Sequence, residues 1–179
     1  MAGIDQLIVA ERVPLHGRLT LTVVDPSGEI VDEREGDNVI CTTGYTAIAA
    51  ALVWSGVLDQ ADNLGITTST DLTPLYGAVG SGVGVPAASD IQLFTELGRE
   101  TVGGGASTPA SASVGALCTW SFFFPNPTVA WTVTEAGVFA NASSATNSGS
   151  MIDHWLFSPS VLVPTINTLI LQVSLQFGP

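Results

Sequence analysis

Two apolar runs, Val129–Ala140 and Met151–Phe157, flank a segment of Asn, Ala, Ser, Thr and Gly. Val129, Trp131 and Val133 alternate with Ala130, Thr132 and Thr134, the period of two of a half-buried strand. The small polar residues between the runs are turn chemistry, so the pair reads as a long-looped hairpin. The same alternation marks Gly17–Asp25 and, most clearly, Thr168–Phe177, where Leu169, Leu171, Val173, Leu175 and Phe177 share a face. A strand patterned that strongly belongs inside a sheet. Asp25-Pro26-Ser27-Gly28 turns the chain into a returning strand at Glu29–Arg34. A short strand is also expected at Leu75–Val79, with an aromatic one at Leu117–Phe124 that stops at Pro125-Asn126-Pro127, while Val39–Cys41 is a short apolar entry to the helix and Val161–Val163 lead to Pro164. One helix is predicted near residues 43–55. Thr42 or Thr43 would cap it, and Tyr45, Ile48, Ala49, Leu52 and Val53 recur at helical spacing. Gly103–Ala116 has the composition of a flexible loop. The pattern is mainly β, read as an arm over residues 1–15 and a single domain over 16–179.

Charge and composition change the picture in one respect. Sixteen acids face four bases, all arginines, for a net charge of −12. Such a balance repels phosphate and argues against nucleic-acid partners and docking on anionic membranes. Only 11% of the residues are charged and 46% are hydrophobic, with a mean hydropathy of +0.43. Ordinary soluble domains carry about 25% charged residues. Part of this surface is therefore expected to be covered, by copies of the chain or by another protein. The N-terminus lacks the basic start and apolar core of a signal peptide, and no apolar run approaches membrane-spanning length. Cys41 and Cys118 are too few for a zinc site or a disulfide framework, and are expected to be buried thiols.

Candidate chemistry is sparse. Gly80-Ser81-Gly82-Val83-Gly84 has the look of a phosphate cradle, but Pro86 and the absence of lysine favour a wide structural turn. No G-x-S-x-G exists. The histidines are His16 and His154, and His154 and its neighbour Asp153 point to opposite faces of a strand. No catalytic residue, cofactor or metal site is therefore assigned. Arg99 and Glu135 are lone charges in apolar surroundings, where burial requires a partner. Two readings stand for them: a salt bridge between adjacent strands, with Glu96 nearby, or side chains that reach solvent. Trp120, Phe122, Trp131, Phe139 and Trp155 are the expected core aromatics. Trp54, Trp120, Trp131 and Trp155 are also the residues on which a sugar-binding sandwich would rely.

The order of several short motifs carries a resemblance. Asn38-Val-Ile-Cys-Thr-Thr-Gly44-Tyr is followed by Gly80-Ser-Gly82, Pro86-Ala-Ala-Ser-Asp90 and Glu96-x-x-Arg99. Then come Glu135-Ala-Gly137-Val-Phe139, Gly149-x-Met151 and Trp155-Leu-Phe157-Ser-Pro159. Over roughly residues 17–177 this resembles tailed-bacteriophage structural proteins of the head-decoration, minor-capsid and tail-fibre group. The resemblance implies a jelly-roll-like antiparallel β-sandwich, a homotrimer in the virion, and no enzymatic activity. It makes Glu96, Arg99 and Glu135 structural positions, although His154-Trp155 stand where that group leads one to expect an arginine. Its first implication is a capsid decoration protein that clamps the major capsid protein. The alternatives are a tail or neck fibre subunit for host attachment and, from another class, a carbohydrate-binding sandwich.

Overall fold

The computed structural model describes residues 15–46, 74–103, 111–114 and 117–177. The expected arm, apart from Leu15, and the expected helix beyond residue 46 lie outside the described residues. Within them a helical turn occupies 42–46, with the Tyr45 N–H donating to the Cys41 carbonyl.

Among the described residues ten strands form two antiparallel five-stranded sheets. In the first, β1 (Leu15–Val24) lies between β2 (Ile30–Asp37) and β10 (Thr168–Phe177). β10 then pairs with β7 (Leu117–Phe124), and β6 (Ser111–Val114) closes the edge. The second sheet runs from β3 (Val39–Ile40) to β9 (Ser150–Val163), β8 (Trp131–Ala140), β4 (Pro74–Gly80) and β5 (Glu96–Thr101).

Alternation decides which faces meet. Leu19, Leu21 and Val23 of β1 pair with Val173, Leu171 and Leu169 of β10, and all six are buried. They face Val133, Ala136, Val138, Trp155 and Val161 of the second sheet, and one cluster from both sheets makes the sandwich core. Phe122 is wholly buried there, Trp155 is 9% exposed, and Trp120 and Trp131 pack on the cluster from its margin. Phe139 belongs instead to a second cluster, with Cys41, Ala78, Leu93 and Met151. That cluster exists because the outer face of the second sheet is itself covered.

Three expectations need correction. β9 continues through Pro159, and a register shift between Val133 and Glu135 of β8 takes up the residues around it. Within the stretch read as a flexible loop, Ser111–Val114 form β6, whose short Ser/Ala sequence carries no apolar alternation, while residues 104–110 and 115–116 lie outside the described residues. Cys118 is only half-buried, because β7 begins at an exposed Leu117.

Candidate functional site

The cover over the second sheet is residues 81–95, a strap without regular structure that joins β4 to β5 and folds back across the sheet. Its ends meet through the Ser81 N–H and the Thr95 carbonyl, 2.8 Å apart. Leu93, fully buried, sits over Gly137 of β8. Further along, the Ala88 carbonyl accepts from the Thr42 N–H at 2.7 Å, so the strap reaches the β3 side of the sheet. The glycines permit this close approach. A Cβ on Gly82 would lie 2.4 Å from Glu135 Oε1, and one on Gly84 would lie 2.5 Å from the Phe94 ring.

Glu135, wholly buried on β8, holds both ends of the strap. Its Oε1 accepts from the N–H groups of Gly82 and Thr95 at 2.8 Å each, and its Oε2 from Phe94 at 3.0 Å. His154 of β9, also wholly buried, lies between two carboxylates. Its Nε2 is 3.0 Å from Glu135 Oε2, and its Nδ1 is 2.7 Å from Asp90 Oδ2 in the middle of the strap. Two carboxylate acceptors satisfy both ring nitrogens only when both carry a proton, which makes the residue an imidazolium. Burial alone would push its pKa down, but the hydrogen bonds to Glu135 and Asp90 prevail and hold it above the ordinary histidine value. Burial likewise pushes Glu135 up, and His154 with the three backbone donors more than offsets this, leaving it below the usual carboxylate range.

Asp153 points to the other side of β9, as strand alternation requires. It accepts from Asn38 Nδ2 at 2.6 Å and from the Val138 N–H at 3.1 Å. Burial, only partly opposed by those bonds and by the His154 charge, raises its pKa to about 7. Beneath the strap, burial and the nearby charges of Asp153 and Asp90 push the Cys41 thiol up to about 12.

A second buried charge pair lies on the same outer face. Arg99 Nε and Nη2 donate to the two oxygens of Glu96 at 2.7 and 2.8 Å. Arg99 Nη1 reaches the carbonyls of Ser143 and Ser148 and the Ser148 hydroxyl. Glu96 Oε2 also accepts from the Asn147 N–H at 2.9 Å. The guanidinium carbon lies 4.8 Å from the centre of the Phe139 ring and 5.8 Å from that of Tyr76. Both charged side chains are almost fully buried, 4% and 2% exposed. Together they pin the β8–β9 loop to β5.

The Arg99–Glu135 bridge considered from the sequence is therefore not the one formed. Arg99 takes Glu96, and Glu135 takes His154 and the strap. In a regular strand Glu96 and Arg99, three apart, would face opposite ways. The register of β4 against β5 passes from Val79↔Gly98 to Gly80↔Glu96, so Leu97 is an extra residue that returns Glu96 to Arg99's side. Asp90, Asp153 and Asn38 were not singled out as partners. The available signal was the number of charges stranded in apolar sequence, Asp90, Glu135, Asp153 and His154 together.

Chemically, this arrangement ties the strap to two strands of the sheet through buried charges. His154 has no ring nitrogen left for a substrate proton, and it is sealed from solvent. Among the described residues no group of three His, Cys, Asp or Glu side chains is placed to hold a metal ion. On the outer face of the first sheet an open groove of about 430 Å³ is lined by His16, Arg18, Glu35, Gln172 and neighbours. Among the described residues its lining carries no Trp, Tyr or Phe on which a sugar could stack, and Trp120, Trp131 and Trp155 serve the core. Trp54 lies outside the described residues. Comparisons with protein-family models, curated proteins and solved structures found no match.

Proposed function

We propose that the chain is a non-enzymatic virion structural protein, a homotrimeric capsid decoration protein that binds and stabilises the major capsid lattice. The observation that carries this reading is the outer surface of the strap. Val83, Val85, Ile91 and Phe94 are 82%, 83%, 65% and 45% exposed, on a backbone held from beneath by Glu135 and His154. Apolar side chains displayed on a prearranged backbone suit a surface that another protein covers, because little ordering entropy is lost on contact. A second apolar group, Val129, Leu162 and Ile166, stands at the end of the sandwich where β8 begins and β9 meets β10. The low charge content agrees with both. The resemblance supplies the particle, the trimer, the jelly-roll-like arrangement and assembly in the bacterial cytoplasm.

On this reading the mechanism is buried interface area that lowers the free energy of the assembled shell, without catalysis. The deciding measurement is copy number in purified particles of the phage that encodes the chain, by quantitative mass spectrometry against the major capsid protein. A ratio of the same order supports decoration. A small fraction of it points to a tail or neck fibre subunit, and absence from the particle overturns the virion reading.

A further inference from the structure

Among the described residues, His154 is the only cation in a cluster of acids. It faces Glu135 from β8 and Asp90 from the strap, while Asp153 is its neighbour on β9 and the Cys41 thiol lies close to Asp90 and Asp153. Arg99 is committed to Glu96. The strap's two attachments also differ in kind. Its ends rest on Glu135 through three backbone N–H groups, which do not titrate. Its middle is held by Asp90, whose side chain is 15% exposed, and by one backbone bond from Thr42 to Ala88.

We propose that the strap is a charge-operated lid: with His154 protonated it is shut, and loss of that proton frees its middle, Val83–Gln92, while both ends stay on Glu135. A neutral imidazole has one N–H and can serve only one of its two carboxylates. Glu135 is sealed in and cannot reach water, whereas Asp90 can, so Asp90 is the partner that leaves. The proton goes to solvent, and mutual repulsion among the remaining carboxylates favours the move. The raised pKa of His154 agrees in sign, because the latched state is the one that holds the proton more tightly. Opening lifts Ala88, which is bonded to Thr42 beside Cys41, and Asp90, whose charge acts on the Cys41 thiol, away from Cys41, which is wholly buried when the strap is down.

Cys41 reports the movement. In the full chain carrying Cys118→Ser, alkylation of Cys41 by a maleimide is followed by mass spectrometry from about pH 5 to about pH 9, either side of the ordinary histidine value. Each rate is divided by that of glutathione at the same pH, which removes the intrinsic chemistry of the thiol. The normalised rate should climb about tenfold for each pH unit in which the latched and released histidines differ in charge, then level off. His154→Gln should label rapidly at every pH. Should that variant not fold, Asp90→Ala, which leaves the His154–Glu135 pair intact, must also label rapidly at every pH. A flat profile in the parent, or an Asp90→Ala protein labelled no faster than the parent in mild acid, overturns the lid. So does a rise that coincides with loss of the β-sheet circular dichroism signal, since that is global unfolding.

Discussion

Two buried charge assemblies sit on one face of one sheet and do the same mechanical task with different chemistry. Arg99–Glu96 pins the β8–β9 loop, and Glu135–His154–Asp90 pins the strap. The first uses a planar guanidinium that forks onto both carboxylate oxygens and reaches two loop carbonyls, so it is held at several points at once. An imidazolium can lose its proton while the chain stays folded, and here Glu135 and Asp90 hold its pKa above the ordinary histidine value, so the second depends on pH. A fold that needed only rigidity could have used arginine twice. The loop whose outer surface carries four exposed apolar residues is the one held by the titratable group.

The contrast can be broken most forcefully at Glu135. Glu135→Ala leaves three backbone donors and an imidazolium short of their acceptor, and should cost about 3–5 kcal/mol in urea denaturation. A cost below about 1 kcal/mol, the value of an exposed pair, would show that the strap does not depend on Glu135. The pH response comes next. His154, raised in the folded state, contributes stability that is complete below its ordinary value of 6.5 and is lost as pH rises through the folded value. Asp153, raised to about 7, already costs stability as pH climbs from 3.8 towards that value, because the unfolded chain ionises it first. Glu135, lowered, contributes above 4.5 and loses its contribution as pH falls through its folded value. Unfolding midpoints should therefore peak in mild acid and decline towards alkali, and Asp153→Asn should flatten the part between acid and neutral. A maximum above pH 8 would contradict this assignment of signs.

At the arginine pin, Arg99→Lys retains the charge but loses the bidentate fork and the bonds to Ser143 and Ser148. The expected loss is about 2 kcal/mol, equal at pH 5 and pH 8. A loss that grew with pH would erase the distinction between the two pins. Smallest of all is Arg18→Ala, which removes an exposed pair with Glu35 and should change stability by less than about 1 kcal/mol.

Much of the sandwich was legible from alternation alone. Leu117–Phe124 and Thr168–Phe177 are strands with the bounds read from the sequence, and the second lies inside its sheet. The spaced glycines at Gly80, Gly82 and Gly84 were read as a structural turn, and they are where the strap presses on Glu135 and Phe94. The charge partners were not legible. A lone buried charge announces that it needs a counter-charge, but the choice between Glu96 and Glu135 for Arg99 turned on one extra residue, Leu97, in a bulge. Asp90 reaches His154 only because an irregular segment doubles back over the sheet, and a strap of this kind has no periodicity to read.

The position of β10 has a consequence for how the molecule is made. β10 lies between β1 and β7, yet it is synthesised after both, with about 150 residues separating it from β1. The first sheet cannot close on the ribosome until that strand emerges, and contacts so distant along the chain are slow to form. Meanwhile β1 and β7 present unpaired edges that a neighbouring nascent chain can occupy. Yield of native protein should therefore depend on how crowded and how warm the site of synthesis is, well before any interface with a partner matters.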